Sequence, residues 1–185
     1  ARKTSCKADA DTYETAIANV QANSGATAEE MERVRAAAKK MGAETQFSSA
    51  DAANAMFQLS AAGYNVDESI QAVQSTMLLA SATGVSLEDS TDLVTKSMKA
   101  FRLDAGDAAH VSDVFTQAAN QTSASVSDLH FGMAQAGQLG ARYGQSLETV
   151  AAGLSALIDQ GVPAASAGGG LRQAFDKLAA PTEKA

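Results

Sequence analysis

The sequence predicts an all-α fold: an array of short antiparallel helices joined by Gly/Ser/Asp-rich turns, arranged as a compact bundle or a short solenoid. Three observations carry this. Alanine and serine dominate the 185 residues, with no Trp and only 2 Pro, and alanine has the best intrinsic helix propensity while proline has the worst. Apolar residues recur at helical spacing, and the alternating β-branched and aromatic runs of strands are absent. Finally, a grammar of helix stops and starts recurs about every 20 residues along the chain.

Residues 1–7 are polar and are expected to form a disordered end. A helix is expected over 8–22, with Tyr13, Ile17 and Val20 on one stripe, ended by Asn23-Ser24-Gly25. Thr27 with Glu30 three residues later reads as a capping box, in which each residue satisfies a free backbone N–H of the other's turn. It opens a helix from about 28 to 41, with Met31, Val34 and Ala38 inward and acids first, lysines last, as the helix dipole favours. Gly42 reads as its stop, since glycine takes the left-handed conformation that helix ends often need. Ser48 and Asp51 open the next helix, about 49–62, whose apolar side is Met56, Phe57 and Leu59 and whose stop is Gly63.

The remaining elements follow the same grammar. Asn65 and Asp67 flank the start of a helix at about 67–82, carrying Ile70, Val73, Met77 and Leu78, with Gly84 as its stop. Ser86 and Asp89 open 87–102, with a seam of Leu87, Val94, Met98 and Phe101. Asp104 is the cap expected for 105–121, which carries Val111, Val114, Phe115 and Ala118. Ser125 with Asp128 opens 126–142, and Ser146 opens 147–160, stopped by Gly161. Pro163 suits a helical first turn, and Leu171, Phe175 and Leu178 form the last seam before Pro181.

One internal echo joins these pieces. The stretch from Gly63 to Ser69 parallels that from Gly84 to Ser90, and Gly144-Gln145-Ser146-Leu147-Glu148 is a weaker third copy. Each has a stopping glycine, a small polar cap, one apolar residue and acids in the first turn. A repeat solenoid would produce this. So would any array of well-capped short helices, and the helix bodies do not match one another.

Charge divides the chain. Residues 1–46 hold 7 basic and 7 acidic side chains, whereas residues 47–185 hold 7 and 14, so the whole net charge of -7 lies in the second part. The expected organisation is a charge-balanced helical hairpin at 8–46, an acidic multi-helix array at 47–181 forming one domain with it, and a tail at 182–185. An acidic surface repels phosphate backbones, so no direct nucleic-acid binding is expected. No apolar run approaches the ~20 residues that span a bilayer, so membrane contact is not expected from this segment. Cys6 is the only cysteine, which rules out an intrachain disulfide. With Ala1 at one end and Pro181-Thr182-Glu183-Lys184-Ala185 at the other, the chain reads as a piece of something longer.

Candidate chemistry is sparse. His110 has Asp107 and Asp113 three residues to either side, roughly on one helical face, a spacing open to metal or acid–base use but also that of a solvated polar face. His130 lies beside Phe131, with the capping Asp128 as its nearest acid. Gly168-Gly169-Gly170-Leu171-Arg172 has the glycines of a phosphate-cradling loop without the Lys-Ser/Thr or the preceding strand, so a closely packed helix segment is expected there. Cys6 is far in sequence from either histidine. No nucleophile, base and orienter assemble, so the chain is read as no enzyme. No catalytic, cofactor-binding or metal residues are assigned, and no cofactor is expected.

The order of certain segments carries a resemblance. They are Ser24 to Glu30, Ala38 to Ser48, Ala52-Ala53 through Ala61-Ala62-Gly63, Leu79 to Ala82, Ala100-Phe101-Arg102-Leu103, Asp159-Gln160-Gly161-Val162, Ala167 to Arg172, and Leu178 to Thr182. In this order the chain, from about Ala10 to Glu183, resembles the conserved core region of phage tail tape measure proteins. It departs at Gly169, where the family usually has Thr or Ser, and at Ala180, where Lys is frequent. The resemblance implies a structural component of a phage or prophage tail, with roles in tail assembly, tail length determination and genome delivery. It implies tail tube and tail assembly chaperone proteins as partners, the tail lumen of the virion as location, and the host cytoplasm during assembly. Self-association is a further expectation, and a generic helical protein-binding module without catalysis is the alternative.

Overall fold

The structure, a computed structural model, describes residues 2–179, with side chains from Ala10 onward. Among the described residues it is all-α. The helices are α1 (Arg2–Ser24), α2 (Ala28–Glu44), α3 (Ser49–Ala61), α4 (Val66–Thr83), α5 (Leu87–Phe101), α6 (Ala108–Gln121), α7 (Val126–Arg142), α8 (Leu147–Asp159) and α9 (Ala164–Ala179), with a 3-10 turn at Ala105–Asp107. The backbone of α1 begins ahead of the expected start at residue 8. The tail at 182–185 lies outside the described residues.

Each helix packs on the next in sequence and on the next but one. The odd-numbered helices α1, α3, α5, α7 and α9 therefore form one row, and α2, α4, α6 and α8 form a second row against it. This is the two-layer stacking of a helical solenoid, in which each helix pair meets chiefly its neighbours. The period is regular. Helices α3, α5, α7 and α9 begin at Ser49, Leu87, Val126 and Ala164, steps of 38, 39 and 38 residues. The echo in the sequence has a shorter step: Gly63 and Gly84 are 21 residues apart and sit at successive joints, so it reflects shared capping rather than the helix-pair repeat.

The joints are built by local chemistry. Capping boxes form at Thr27/Glu30, Ser48/Asp51, Asn65/Glu68 and Ser125/Asp128. Ser86 and Ser146 accept from the N–H groups of Asp89 and Thr149. Gly84 takes the left-handed conformation, φ 71°, that lets α4 stop and the chain turn to Ser86 in two residues. Gly63 and Gly144, its echoes, also have positive φ. At the equivalent joint after α5 the left-handed residue is Arg102, φ 55°.

Three expectations are corrected. Gly42 does not stop α2, which runs on to Glu44 and is ended by Thr45, whose hydroxyl donates to the Met41 carbonyl at 2.8 Å and accepts from the Phe47 N–H at 3.2 Å. Gly42 is instead a contact point: a Cβ there would stand 2.6 Å from the Ser49 backbone nitrogen. Asn65 and Asp67 do flank the start of α4, Asn65 as its cap with Glu68 and Asp67 in the first turn. Asp104 caps with its backbone, its N–H donating to Asp107 Oδ2 at 3.0 Å, and the first turn there is 3-10 rather than α. Leu178 and Leu78 stand outside the core, 79% and 73% exposed: Leu78 shares the exposed face of α4 with Asp67, Gln71 and Gln74, and Leu178 lies in the last turn of α9.

One contiguous apolar core runs from Ala16 to Phe175. Its fully buried larger side chains include Ile17, Met56, Leu59, Leu79, Leu93, Met98, Phe115, Leu129 and Leu154, each contributing roughly 1.5–3 kcal/mol on burial. Between them lie alanines such as Ala38, Ala52, Ala72, Ala80 and Ala136 and buried hydroxyls such as Ser90, Ser97 and Thr91. These small side chains let the helices of a row approach closely.

Candidate interaction surface

The residues with candidate chemistry are drawn into ties between stacked helices. His110 of α6 reaches α8, where its Nε2 lies 2.6 Å from Glu148 Oε1. Asp107 is occupied with the Asp104 backbone, and Asp113 is exposed, so the expected cluster of His110 with its sequence neighbours does not form. His130 of α7 pairs with Asp92 of α5 at 2.7 Å, and Lys96 meets the same Asp92 oxygen at 2.7 Å. Asp128 instead completes the Ser125 cap. The His130 and Phe131 rings stack at 5.9 Å.

Other ties follow the same rule of joining a helix to the next in its row. Arg33 of α2 pairs with Asp67 of α4. The Ser123 N–H, just ahead of α7, donates to Asp159 at the end of α8 at 3.1 Å. The Tyr143 hydroxyl donates to Asp176 of α9 at 3.1 Å, which raises the phenol pKa. Hydrogen bonds from the Ser146 hydroxyl, from its own backbone N–H and from His110 lower the Glu148 carboxyl. Sequence reading missed the partners on other helices because none of those lies within one helical turn.

Gly168, Gly169 and Gly170 lie inside α9, so they form no loop. Only Gly168 is closely packed, against Gly132 and Gln135 of α7. Cys6 lies outside the described side chains. Among the described residues, no three His, Cys, Asp or Glu side chains converge to hold a metal ion, and no helix is long and apolar enough to cross a membrane.

Three surface grooves differ in character. Between α2 and α4 an apolar groove of about 540 Å³ is lined by Met41, Ile70, Met77 and the exposed Leu78. Between the end of α5, α7 and α9 an open groove of about 860 Å³ carries Lys99, Arg102, Arg142 and Arg172. A smaller groove of about 370 Å³, lined by Lys96 and His130, shares Lys99 and Gln138 with it.

An all-helical stack whose polar side chains serve as ties has the construction of a scaffold. Comparison with known proteins supplies its kind: the model of the phage-related minor tail protein family matches residues 35–185. The chain belongs to this family. It is 37% identical over 171 residues to the tape measure protein of Pneumococcus phage Dp-1, covering 92% of this chain and 15% of that protein. It is 32% identical over 156 residues to the probable tape measure protein of Escherichia phage P2, covering 84% of this chain and 19% of that one. This family member thus spans less than a fifth of the length of either relative. No solved structure matches it significantly.

Proposed function

We propose that this chain is a non-catalytic structural segment of a phage tail tape measure protein, acting in tail assembly, tail length determination and genome delivery. The observation that carries the reading is identity to two tape measure proteins over nearly the whole segment, within the tail protein family. In this reading the segment lies in the tail lumen of the virion and passes through the host cytoplasm during assembly. Its partners are the tail tube and tail assembly chaperone proteins, and the exposed Leu78 and Phe131 offer apolar contacts for self-association. An excess of 21 acidic over 14 basic side chains suits a lumen through which DNA must pass without adhering.

The test uses purified phage with tails separated from heads. Peptides from residues 28–179 should appear by mass spectrometry in the tails. In-frame deletions in the helices flanking this segment should shorten tails in proportion, while deletion of α3 to α9 should abolish assembly or delivery rather than trim length. Absence of the segment from purified tails would favour the alternative, a helical binding module with no tail role.

A further inference from the structure

We propose that the groove carrying Lys99, Arg102, Arg142 and Arg172 is a docking site for an acidic polypeptide segment of a partner protein. This inference stands on the groove alone and does not depend on the tail reading.

The first support is segregation of charge. Of the 7 basic residues after residue 46, four line this one groove, and a fifth, Lys96, lines the groove beside it. No acidic side chain lines the larger groove. The chain has 21 acidic residues, so a surface cation has ample opportunity to pair. Arg33, Arg35 and Lys96 do pair. Among the described residues, Lys99, Arg102, Arg142 and Arg172 make no ion pair; Lys39, Lys40 and Lys177 make none either, but only the first four share one groove. Four like charges gathered from three helices repel one another, and no acidic side chain lines the groove between them.

The helix dipole accounts for part of the pattern. Lys99 and Arg142 lie in the last turns of α5 and α7, and Arg102 follows α5, where cations are favoured. Arg172 is different. It sits in the middle of α9, far from either end, where the dipole offers no reward. Its place in the groove is set by the packing of α9 on α7.

The chemistry selects the occupant. Three guanidinium groups match carboxylates in a two-pronged geometry that a lysine cannot reproduce. Gln135 and Gln138 line the same groove and supply both donors and acceptors, which suits the N–H and C=O groups of a peptide backbone. Phe101 and Leu139, partly buried, give it an apolar floor. A nucleic acid offers no backbone N–H to the glutamines. Its long run of phosphates would also meet the net charge of -7 carried by the rest of the molecule. A short acidic segment meets only the groove, since charges farther than about 8 Å are screened at physiological salt.

The 185-residue chain should be titrated against a fluorescently labelled peptide of alternating Glu and Ala, and against a labelled DNA oligonucleotide, by fluorescence anisotropy. The expected result is salt-sensitive binding of the peptide, tighter than that of the DNA. It should weaken about tenfold for each guanidinium removed in Arg102→Gln, Arg142→Gln and Arg172→Gln. The double variant Lys99→Gln/Arg172→Gln should show the same loss, and Arg33→Gln, on the opposite row, should show none. All five positions are exposed, and circular dichroism melts will confirm that the variants fold. No peptide binding by the unaltered chain overturns the proposal, as does binding that survives the groove substitutions. DNA binding that is tighter than peptide binding and lost with the same arginines overturns it in favour of a phosphate ligand.

Discussion

Gly168 of α9 lies so close to Gly132 of α7 that a Cβ on Gly168 would stand 2.7 Å from the Gly132 carbonyl oxygen and 2.9 Å from its Cα. Two helix backbones meet there, with the Gln135 Cβ also 2.9 Å from that position. Gly169 and Gly170, the next two residues, have nothing within 4 Å of a Cβ position. Gly168→Ala should therefore cost about 2 kcal/mol by forcing α9 off α7. Gly170→Ala should stabilise by about 1 kcal/mol, because a glycine inside a helix only loses entropy there. Urea unfolding midpoints of the two variants should move in opposite directions. Equal shifts would mean that α9 does not rest on α7 through Gly168.

The α2–α3 joint makes a similar prediction at Gly42. An added methyl group would press on the Ser49 backbone, at 2.6 Å from its nitrogen, at the first turn of α3. Gly42→Ala should destabilise by about 2 kcal/mol although alanine is the better helix former. A thermal melt that rises instead would show that this helical position has room for a methyl group and that α2 does not rest on Ser49 through Gly42.

Ser90 is fully buried in α5 and its hydroxyl has no hydrogen-bond partner among the described residues, whereas its neighbour Thr91 bonds to Thr76 at 3.2 Å. An unsatisfied buried hydroxyl costs about 1–3 kcal/mol of desolvation. Ser90→Ala should accordingly raise stability by about 1 kcal/mol. A loss of stability on chemical denaturation would show that the hydroxyl has a partner after all.

Acid should loosen the α6–α8 tie. The Glu148 carboxyl titrates below its ordinary value of 4.5, held down first by the Ser146 hydroxyl, then by its own backbone N–H and by His110. A lowered carboxylate contributes stability above its unfolded pKa and loses it as pH falls through the folded value. The contribution is therefore present in full at neutral pH, begins to fall near 4.5 and is lost as pH drops through the lower folded value. Glu148→Gln should lower the unfolding midpoint at neutral pH and flatten its decline in acid. An acid limb as steep as that of the unaltered chain would assign the decline to other carboxylates.

The sequence by itself determined where helices begin. Thr27/Glu30, Ser48/Asp51 and Ser125/Asp128 are contacts within one turn, so residue type and spacing specify them before any packing exists. A further local signal lies in the same joints: Thr45, Ser48 and Asp51 recur 77 residues on as Thr122, Ser125 and Asp128, with the same hydroxyl-to-carbonyl bond at each threonine. Tertiary structure alone decided the rest. His110 with Glu148 and His130 with Asp92 are each partners 38 residues apart, one repeat of the stack, and no single-turn rule links them. Which of three adjacent glycines is packed, and which four cations share a groove, depends on how each helix is rotated against its row. That rotation is set by the fit of buried side chains from helices distant in sequence, and it has no local signature.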